Sequence, residues 1–386
     1  MHMKCDLQPM APSSAKTTKG PLVKISHKAR VGVAVAAMLA LGLSACSSGS
    51  DESSSAGEDN SVEETTEAEE EEAAGSSEDV AVDCQPVSAK ASHHISSSSA
   101  VHRGLEVLAE EVSNGTDGRV TIEIASDGQL GGLAEMPENL RSGAVDIALV
   151  DAGSMSVFDP ELGVTDLPFL WETMDEFNDV MDSPVGDQMN AKVQAIGIEP
   201  LYWSAVGLRD MFFVDTPATS PEQLSGLKMR VPEAPVWVQT FETLNASPTP
   251  IPGGEIYTAA QSGVIDGFEL PLGTTVDLNL NEVVDYQTKT GHILTHIMIG
   301  ASPSFLEKLC AEDLAALEAA VIAAQDDTRQ GWKDDNAAAA EVLAAELTVN
   351  DADLQAFRDA TAPVHEDFVA ANGSELYDAV RAELGR

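Results

Sequence analysis

Ser142-Gly143-Ala144-Val145-Asp146 returns 120 residues later as Ser262-Gly263-Val264-Ile265-Asp266. In both places a glycine closes a helical stretch and an apolar strand follows directly. Glycine ends helices because it adopts left-handed backbone at little cost. A spacing of 120 residues is too long for a solenoid repeat and suits two similar lobes. Working upstream, Val101, Leu105, Leu108 and Val112 recur at helical spacing, and Asn114-Gly115 and Asp117-Gly118 end that helix. Val120, Ile122 and Ile124 then alternate with Thr121 and Glu123 as a half-buried strand, and 145–150 reads as a buried one. Helices alternating with short apolar strands predict a mainly parallel α/β sheet. From Ala311 to about Leu347 the sequence turns to Ala, Leu and Glu, with Leu314, Leu317, Val321 and Ala324 on one stripe. Further helices around 354–357 and 375–384 complete an α-rich C-terminal third.

Charge divides the chain. The 386 residues hold 21 Lys and Arg against 64 Asp and Glu, a formal net charge of −43. Such a balance argues against binding nucleic acid or anionic headgroups, which demand basic patches. Residues 1–30 nevertheless carry six basic side chains and only Asp6, and residues 31–45 are apolar and uncharged. That run is shorter than the ~20 residues of a membrane span and fits the core of a secretory signal. It ends in Leu43-Ser44-Ala45-Cys46, which resembles a bacterial lipobox and implies cleavage before a lipidated Cys46. Residues 47–83 contain fourteen acids and no Lys or Arg, and read as a disordered tether. The expectation is an exported protein anchored on the outer face of the cytoplasmic membrane. Beyond Cys5 and Cys46 only Cys84 and Cys310 remain, and an oxidising compartment favours joining them. No CxxC or Cys/His cluster suggests a metal, and no cofactor is expected.

The second copy sits within a longer series of motifs. Gly226-Leu227-Lys228-Met229-Arg230-Val231-Pro232 is followed by Ala246-Ser247-Pro248-Thr249-Pro250, Glu255-Ile256-Tyr257-Thr258-Ala259-Ala260 and Val264-Ile265-Asp266-Gly267. Gly128-Gln129-Leu130-Gly131, Leu167-Pro168-Phe169-Leu170, Gly207-Leu208-Arg209, Gly291-His292-Ile293-Leu294 and Pro363-Val364 accompany them. In order and spacing, residues 88–385 resemble the solute-binding proteins of tripartite ATP-independent periplasmic (TRAP) transporters. The resemblance implies a two-lobed clamshell with mixed sheets, a hinge between lobes and a solute between them. It implies no catalysis, and delivery of a small organic anion to the membrane subunits of an ion-gradient-driven permease. A monomer is expected. Lobe I is placed at 85–206 plus 296–335 and lobe II at 207–295 plus 336–386.

Arg230 stands near the carboxyl end of the strand 227–231, where open α/β sheets gather ligands. Its guanidinium fork matches a carboxylate in a way Lys cannot copy. In the family the Arg of this motif clamps the substrate carboxylate, and Arg209 matches a second, supporting Arg. Between Ser142 and Thr288 the only basic residues are Lys192, Arg209, Lys228 and Arg230, so three of the four fall in these motifs. Trp203, Phe169 and Tyr257 are candidates for an apolar wall, with core packing as the alternative. His94 is placed at the end of the first strand, as a ligand contact or a helix cap. Asp151, at the end of the strand 145–150, is a ligand contact or a cap. Asp151, Glu233 and Glu269 could hold hydroxyl or amine groups.

The chain departs from the family at three points. Leu270 stands where many relatives place an Asn that binds the carboxylate, Pro252-Gly253-Gly254 lacks the aromatic of sialic-acid binders, and Glu233 replaces an Asn suited to that ligand. Sialic acid is therefore disfavoured. Two other functions remain open. One is a receptor signalling to a membrane sensor. The other is an exported hydrolase, although no Gly-x-Ser-x-Gly elbow, His-Glu-x-x-His or P-loop occurs.

Overall fold

A computed structural model describes residues 84–386. The signal sequence, Cys46 and the acidic tether lie outside the described residues. The first half of the described chain runs β1 (Val87–Ser92), α1 (Ala100–Gly115), β2 (Val120–Ala125), α2 (Met136–Ser142) and β3 (Ile147–Val150). Three helices follow: α3 (Ala152–Met155), α4 (Met174–Met181) and α5 (Pro184–Ala195). The long strand β4 (Glu199–Phe213) leads to β5 (Lys228–Val231), α6 (Pro235–Thr243), β6 (Ser247–Pro250), α7 (Ile256–Gln261) and β7 (Gly267–Pro271). After α8 (Leu272–Asp277) come β8 (Tyr286–Lys289), β9 (Leu294–Ala301), α9 (Pro303–Leu306) and α10 (Ala311–Glu346). The chain closes with β10 (Thr348–Asp351), α11 (Leu354–Asn372) and α12 (Glu375–Glu383).

The internal repeat is real and extends further than its five residues. β1 pairs in parallel with β2 and β3, and β5 pairs in parallel with β6 and β7. Each half is therefore β-α-β-α-β with its first strand in the middle. Gly143 and Gly263 both take φ +72°. The aspartate of each copy does the same work. Asp146 N–H donates to Lys90 O (3.1 Å) while its Oδ2 accepts from Lys90 N–H (2.9 Å); Asp266 does both with Lys228 at 2.8 Å. This exchange sets the start of the strand, and it corrects the expectation that strands begin directly after each glycine. β3 and β7 begin one residue beyond the aspartate, and Val264 is left 53% exposed.

The two halves share one mixed sheet through β4. Its first part, to Leu208, pairs antiparallel with β9, which pairs with β3. From Arg209 onward it pairs with β7 and β8. Extended strand conformation lets one chain serve both halves without a break, and the change of partner falls at Leu208–Arg209. The amphipathic α1 buries Val101, Leu105, Leu108 and Val112 against α10, which presents Leu314, Leu317, Val321 and Ala324. Each such aliphatic side chain contributes roughly 1.5–3 kcal/mol on burial. α10 extends about 54 Å at 1.5 Å per residue and reaches α8 as well as α1.

The expected boundary at the C-terminus needs correction. Residues 336–386 do not all pack with the second half. Leu343 and Leu347 join Phe268 and Leu280 there, and Phe357 joins Phe213 and Phe241. Val364, Phe368, Leu376 and Val380 instead pack with Leu167, Trp171 and Met189 of the first half. The apolar face of α12 is covered by α5 and its surroundings, so the chain crosses back between the halves within α11. Cys84 and Cys310 are joined by a disulfide, which fastens the start of the described chain to the N-cap of α10.

Candidate binding site

Three neighbouring strands, β4, β7 and β5, bring Arg209, Glu269 and Arg230 together near the sheet's change of partner. Glu269 is fully buried. Arg209 grips it with a two-point fork, Nε to Oε2 and Nη2 to Oε1, and Nη2 also donates to the Glu269 carbonyl. The remaining Nη1 donates to Thr295 Oγ1 at 2.8 Å. The guanidinium carbon lies 4.4 Å from the centre of the Trp237 ring. His292 Nε2 is 3.5 Å from Glu269 Oε2, and its Nδ1 is 2.7 Å from Thr290 Oγ1. Burial acts to raise the Glu269 carboxyl pKa, but the charges and hydrogen bonds of Arg209 and His292 outweigh it and hold it below the usual range.

Arg230 is placed differently. Its side chain is buried, with the residue 5% exposed, yet no carboxylate of the described residues lies within 4 Å of it. Nε and Nη2 both donate to one carbonyl, Ile251 O, at 2.9 and 2.7 Å. Burial, then repulsion from Arg209, pulls its pKa down to about 10, against the opposing pull of Glu269 and Glu233. A guanidinium has five N–H donors, so this cation keeps unused donors in a place that penalises its charge. Its unused donors have the geometry to pair with an anionic group.

The first half contributes acids at the matching strand end. Asp151 follows β3 and caps α3, its Oδ1 accepting from Ser154 N–H at 2.7 Å. Burial and the neighbouring Asp166 raise its pKa, while Ser154 and His296 oppose the rise. His296 Nε2 lies 3.1 Å from Asp166 Oδ1. A Cβ on Gly153 would come within 3.3 Å of Asp166 Oδ2, 3.8 Å of Asp151 Oδ1 and 3.1 Å of the Ala234 Cβ. The acid pair thus approaches the loop that carries Glu233 and Ala234 away from Arg230.

The other candidates divide. His94 lies just beyond β1 with its Nδ1 buried and without a hydrogen-bond partner, and burial lowers its pKa to about 4, keeping the ring neutral. It does not cap α1; Ser99 does, through His102 N–H. Glu233 is exposed, within electrostatic reach of Arg230. Glu269 does not present a free acceptor; it is the partner of Arg209. Trp203 is core, 2% exposed, its Nε1 donating to Asn190 Oδ1 at 2.8 Å. Tyr257, on α7, donates its hydroxyl to Glu282 Oε2 at 3.1 Å. Phe169 donates its N–H to His292 O at 2.7 Å, but its ring lies under Arg358, 4.9 Å from the guanidinium. Sequence reasoning missed Trp237, Thr295, Asp166 and His296. His292 stood inside a quoted motif and was passed over.

Two cavities lie elsewhere. One of about 240 Å³ is bounded by the start of α1, α8 and α10; one of about 180 Å³ lies among Phe169, Arg358, His365, Arg381 and Arg386. Neither is lined by Arg209 or Arg230. Cys84, Cys310 and Asp313 are close enough to suggest a metal, but both sulfurs are spent in the disulfide.

Two repeated β-α-β-α-β halves that share the strand β4, with the buried Arg230 near its change of partner, are the architecture of a two-lobed α/β protein. The bacterial extracellular solute-binding protein family 7 (DctP) profile matches residues 91–372, and the chain belongs to that family. Uncharacterized protein y4mM of Sinorhizobium fredii is 35% identical over 276 residues, covering 69% of this chain and 49% of that protein. The chain thus spans about half the length of that relative. The sugar acid binding protein DctPAm of Advenella mimigardefordensis, solved with galactonate, superposes with a TM-score of 0.74 at 26% identity, covering 78% of this chain and all of that one. A TRAP periplasmic solute-binding protein of Chromohalobacter salexigens, solved with D-glucuronate, gives 0.73 at 27% identity, covering 76% and 98%. No helix among the described residues is long and apolar enough to cross a membrane.

Proposed function

We propose that this protein captures a small carboxylate-bearing organic solute between its two halves and delivers it to a TRAP permease. The observation that carries the reading is Arg230, a buried guanidinium whose only hydrogen-bond partner among the described residues is one carbonyl. The solute carboxylate docks on Arg230, with Arg209 held beside it by Glu269. The relatives solved with galactonate and glucuronate support a sugar acid as the class of solute. Lobe I comprises 85–206, 296–335 and the segment from about Val364 to the C-terminus; lobe II comprises the remainder of the described chain. Hinge motion at the partner change in β4 closes them. The protein acts as a monomer and catalyses no reaction. It is exported and held on the outer face of the membrane through a lipidated Cys46, with the acidic 47–83 as a spacer. The test is titration of the purified chain and of Arg230→Ala with D-galactonate and D-glucuronate. A loss of roughly 2–5 kcal/mol of binding free energy in the variant is expected, and unchanged affinity would sink the assignment.

A further inference from the structure

We infer that Cys84, Cys310 and Asp313 become a three-ligand site for Zn2+, or another thiophilic divalent ion, once the Cys84–Cys310 disulfide is reduced. The candidate ligand atoms, two sulfurs and a carboxylate oxygen, all lie within 4.8 Å of one another. Ligands about 2.0–2.3 Å from one zinc ion stand roughly 3–4 Å apart, so the cluster needs little movement once the sulfurs part. Asp313 supplies the observation that points to a ligand. It is 1% exposed, and its Oδ2 has no hydrogen-bond partner among the described residues. A buried carboxylate oxygen left so is costly, and disulfide sulfurs offer it no proton. A metal ion held with both sulfurs supplies the missing partner.

The other oxygen of Asp313 is already fixed. Arg119 donates to Oδ1 from Nε at 3.2 Å and from Nη2 at 2.9 Å, the kind of outer contact that orients a metal-bound carboxylate. Cys310 is the N-cap of α10, and its Sγ accepts from Asp313 N–H at 3.4 Å. Helix N-termini favour thiolates, the form that binds metal. Charge balances as well: two thiolates and one carboxylate meet the guanidinium of Arg119 and a divalent ion. Glu312, which also pairs with Arg119, is largely exposed and its charge is met by water. Sulfur ligands select zinc-like ions over Mg2+ and Ca2+, which prefer oxygen. In the reduction, a dithiol gives two electrons and two protons to the S–S bond, leaves as its own disulfide and yields two thiols. Metal binding then releases those two protons.

The test uses the whole chain with Cys5→Ser and Cys46→Ser, which leaves only these two cysteines. It is reduced, freed of reductant without oxygen, and titrated with Zn2+ and with Cd2+ against excess Mg2+, which occupies surface carboxylates. One ion per chain is expected, with the ultraviolet thiolate-to-cadmium charge-transfer band. Binding should be at least about a hundredfold tighter than in the oxidised chain. Zn2+ should also raise the urea midpoint of the reduced chain, and a chelator should reverse the gain. Asp313→Asn and Asp313→Ser, checked for folding in the oxidised form, are each expected to weaken Zn2+ binding at least about tenfold. Absence of binding to the reduced chain, or equal binding by reduced and oxidised chains, overturns the site. Undiminished affinity in a folded Asp313 variant leaves a bare dithiol and overturns the three-ligand assignment.

Discussion

Arg209 and Glu269 form a buried two-point ion pair in which neither partner is free to serve the solute alone. Glu269 is fully buried and Arg209 is 4% exposed. The pair is closed by Thr295 on one side, His292 on another and the Trp237 ring over the guanidinium. Its arrangement assigns the two arginines different tasks. Arg209 is neutralised by Glu269; Arg230 has no carboxylate within 4 Å among the described residues, which suits the proposed role of meeting the solute.

Removing one partner of such a pair leaves a buried charge without compensation, which costs about 3–5 kcal/mol in stability. Glu269→Ala is therefore expected to lower the unfolding free energy by about 3–5 kcal/mol, read as a lower urea midpoint. Arg230→Ala, which deletes a buried cation lacking a carboxylate, is expected to leave stability nearly unchanged. Equal destabilisation by the two variants in urea melts would contradict this division of roles.

Arg230→Lys tests geometry separately from charge. Lys retains a cation but loses the planar fork, and its ammonium cannot pair with one carboxylate through two parallel hydrogen bonds while still reaching Ile251 O. Affinity for the solute should fall by at least about tenfold. Recovery to native affinity would show that a point charge suffices.

Stability should drop in mild acid because two buried histidines must be charged. Burial lowers His94 to about 4, and burial with the neighbouring His102 and His94 lowers His93 to about 4. A folded pKa below the unfolded one means that the unfolded chain binds more protons between about pH 6.5 and 4. Stability therefore rises with pH across that window and is lost as pH falls through it. Scanning calorimetry from pH 8 to 4 should show Tm falling mainly below pH 6.5, with a shallower fall in His94→Gln. Glu269, whose pKa is depressed, adds a further loss below the usual carboxylate range.

The disulfide closes a loop spanning 226 residues between Cys84 and Cys310. On chain-entropy grounds such a cross-link stabilises by up to about 5 kcal/mol. Reduction under native conditions, or Cys310→Ser, should lower the urea midpoint while leaving solute affinity intact, because the bond lies at the far, N-terminal end of β1. A large loss of affinity in the folded reduced protein would place the bond in the binding mechanism instead.

Much of this architecture could be read from residue types whose backbone or charge demands are narrow. Gly143 and Gly263 adopt left-handed backbone, so their recurrence marked the repeat. Arg209 and Arg230 were legible because basic residues are scarce in an acidic chain. The plentiful acids carried no such signal, and Asp166 could not be separated from its neighbours until the fold set it beside His296. Aromatic residues misled for a related reason. Trp203 and Phe169 suit an apolar wall or a core equally well, and only the Asn190 and Arg358 contacts decide between them. The return of α12 to the first half was also illegible, since its apolar face fits any complementary surface.

Closure itself can be tested at Gly153. It sits between the acid pair and the Ala234 Cβ, and a Cβ there would already be 3.1 Å from that carbon. Contacts this short force neighbours to shift, and Asp166 and Ala234 belong to different halves of the protein. Gly153→Val should therefore hold the halves apart without disturbing the core of either, since Val asks nothing of β3 or β5. The expected signature is a loss of solute affinity of at least about tenfold, the cost of a closed state made less accessible. Tm without solute should change little. Small-angle scattering should show the native chain contracting on addition of solute and the variant failing to do so. Native affinity and full contraction in Gly153→Val would mean that the halves do not meet at this point when the solute is held.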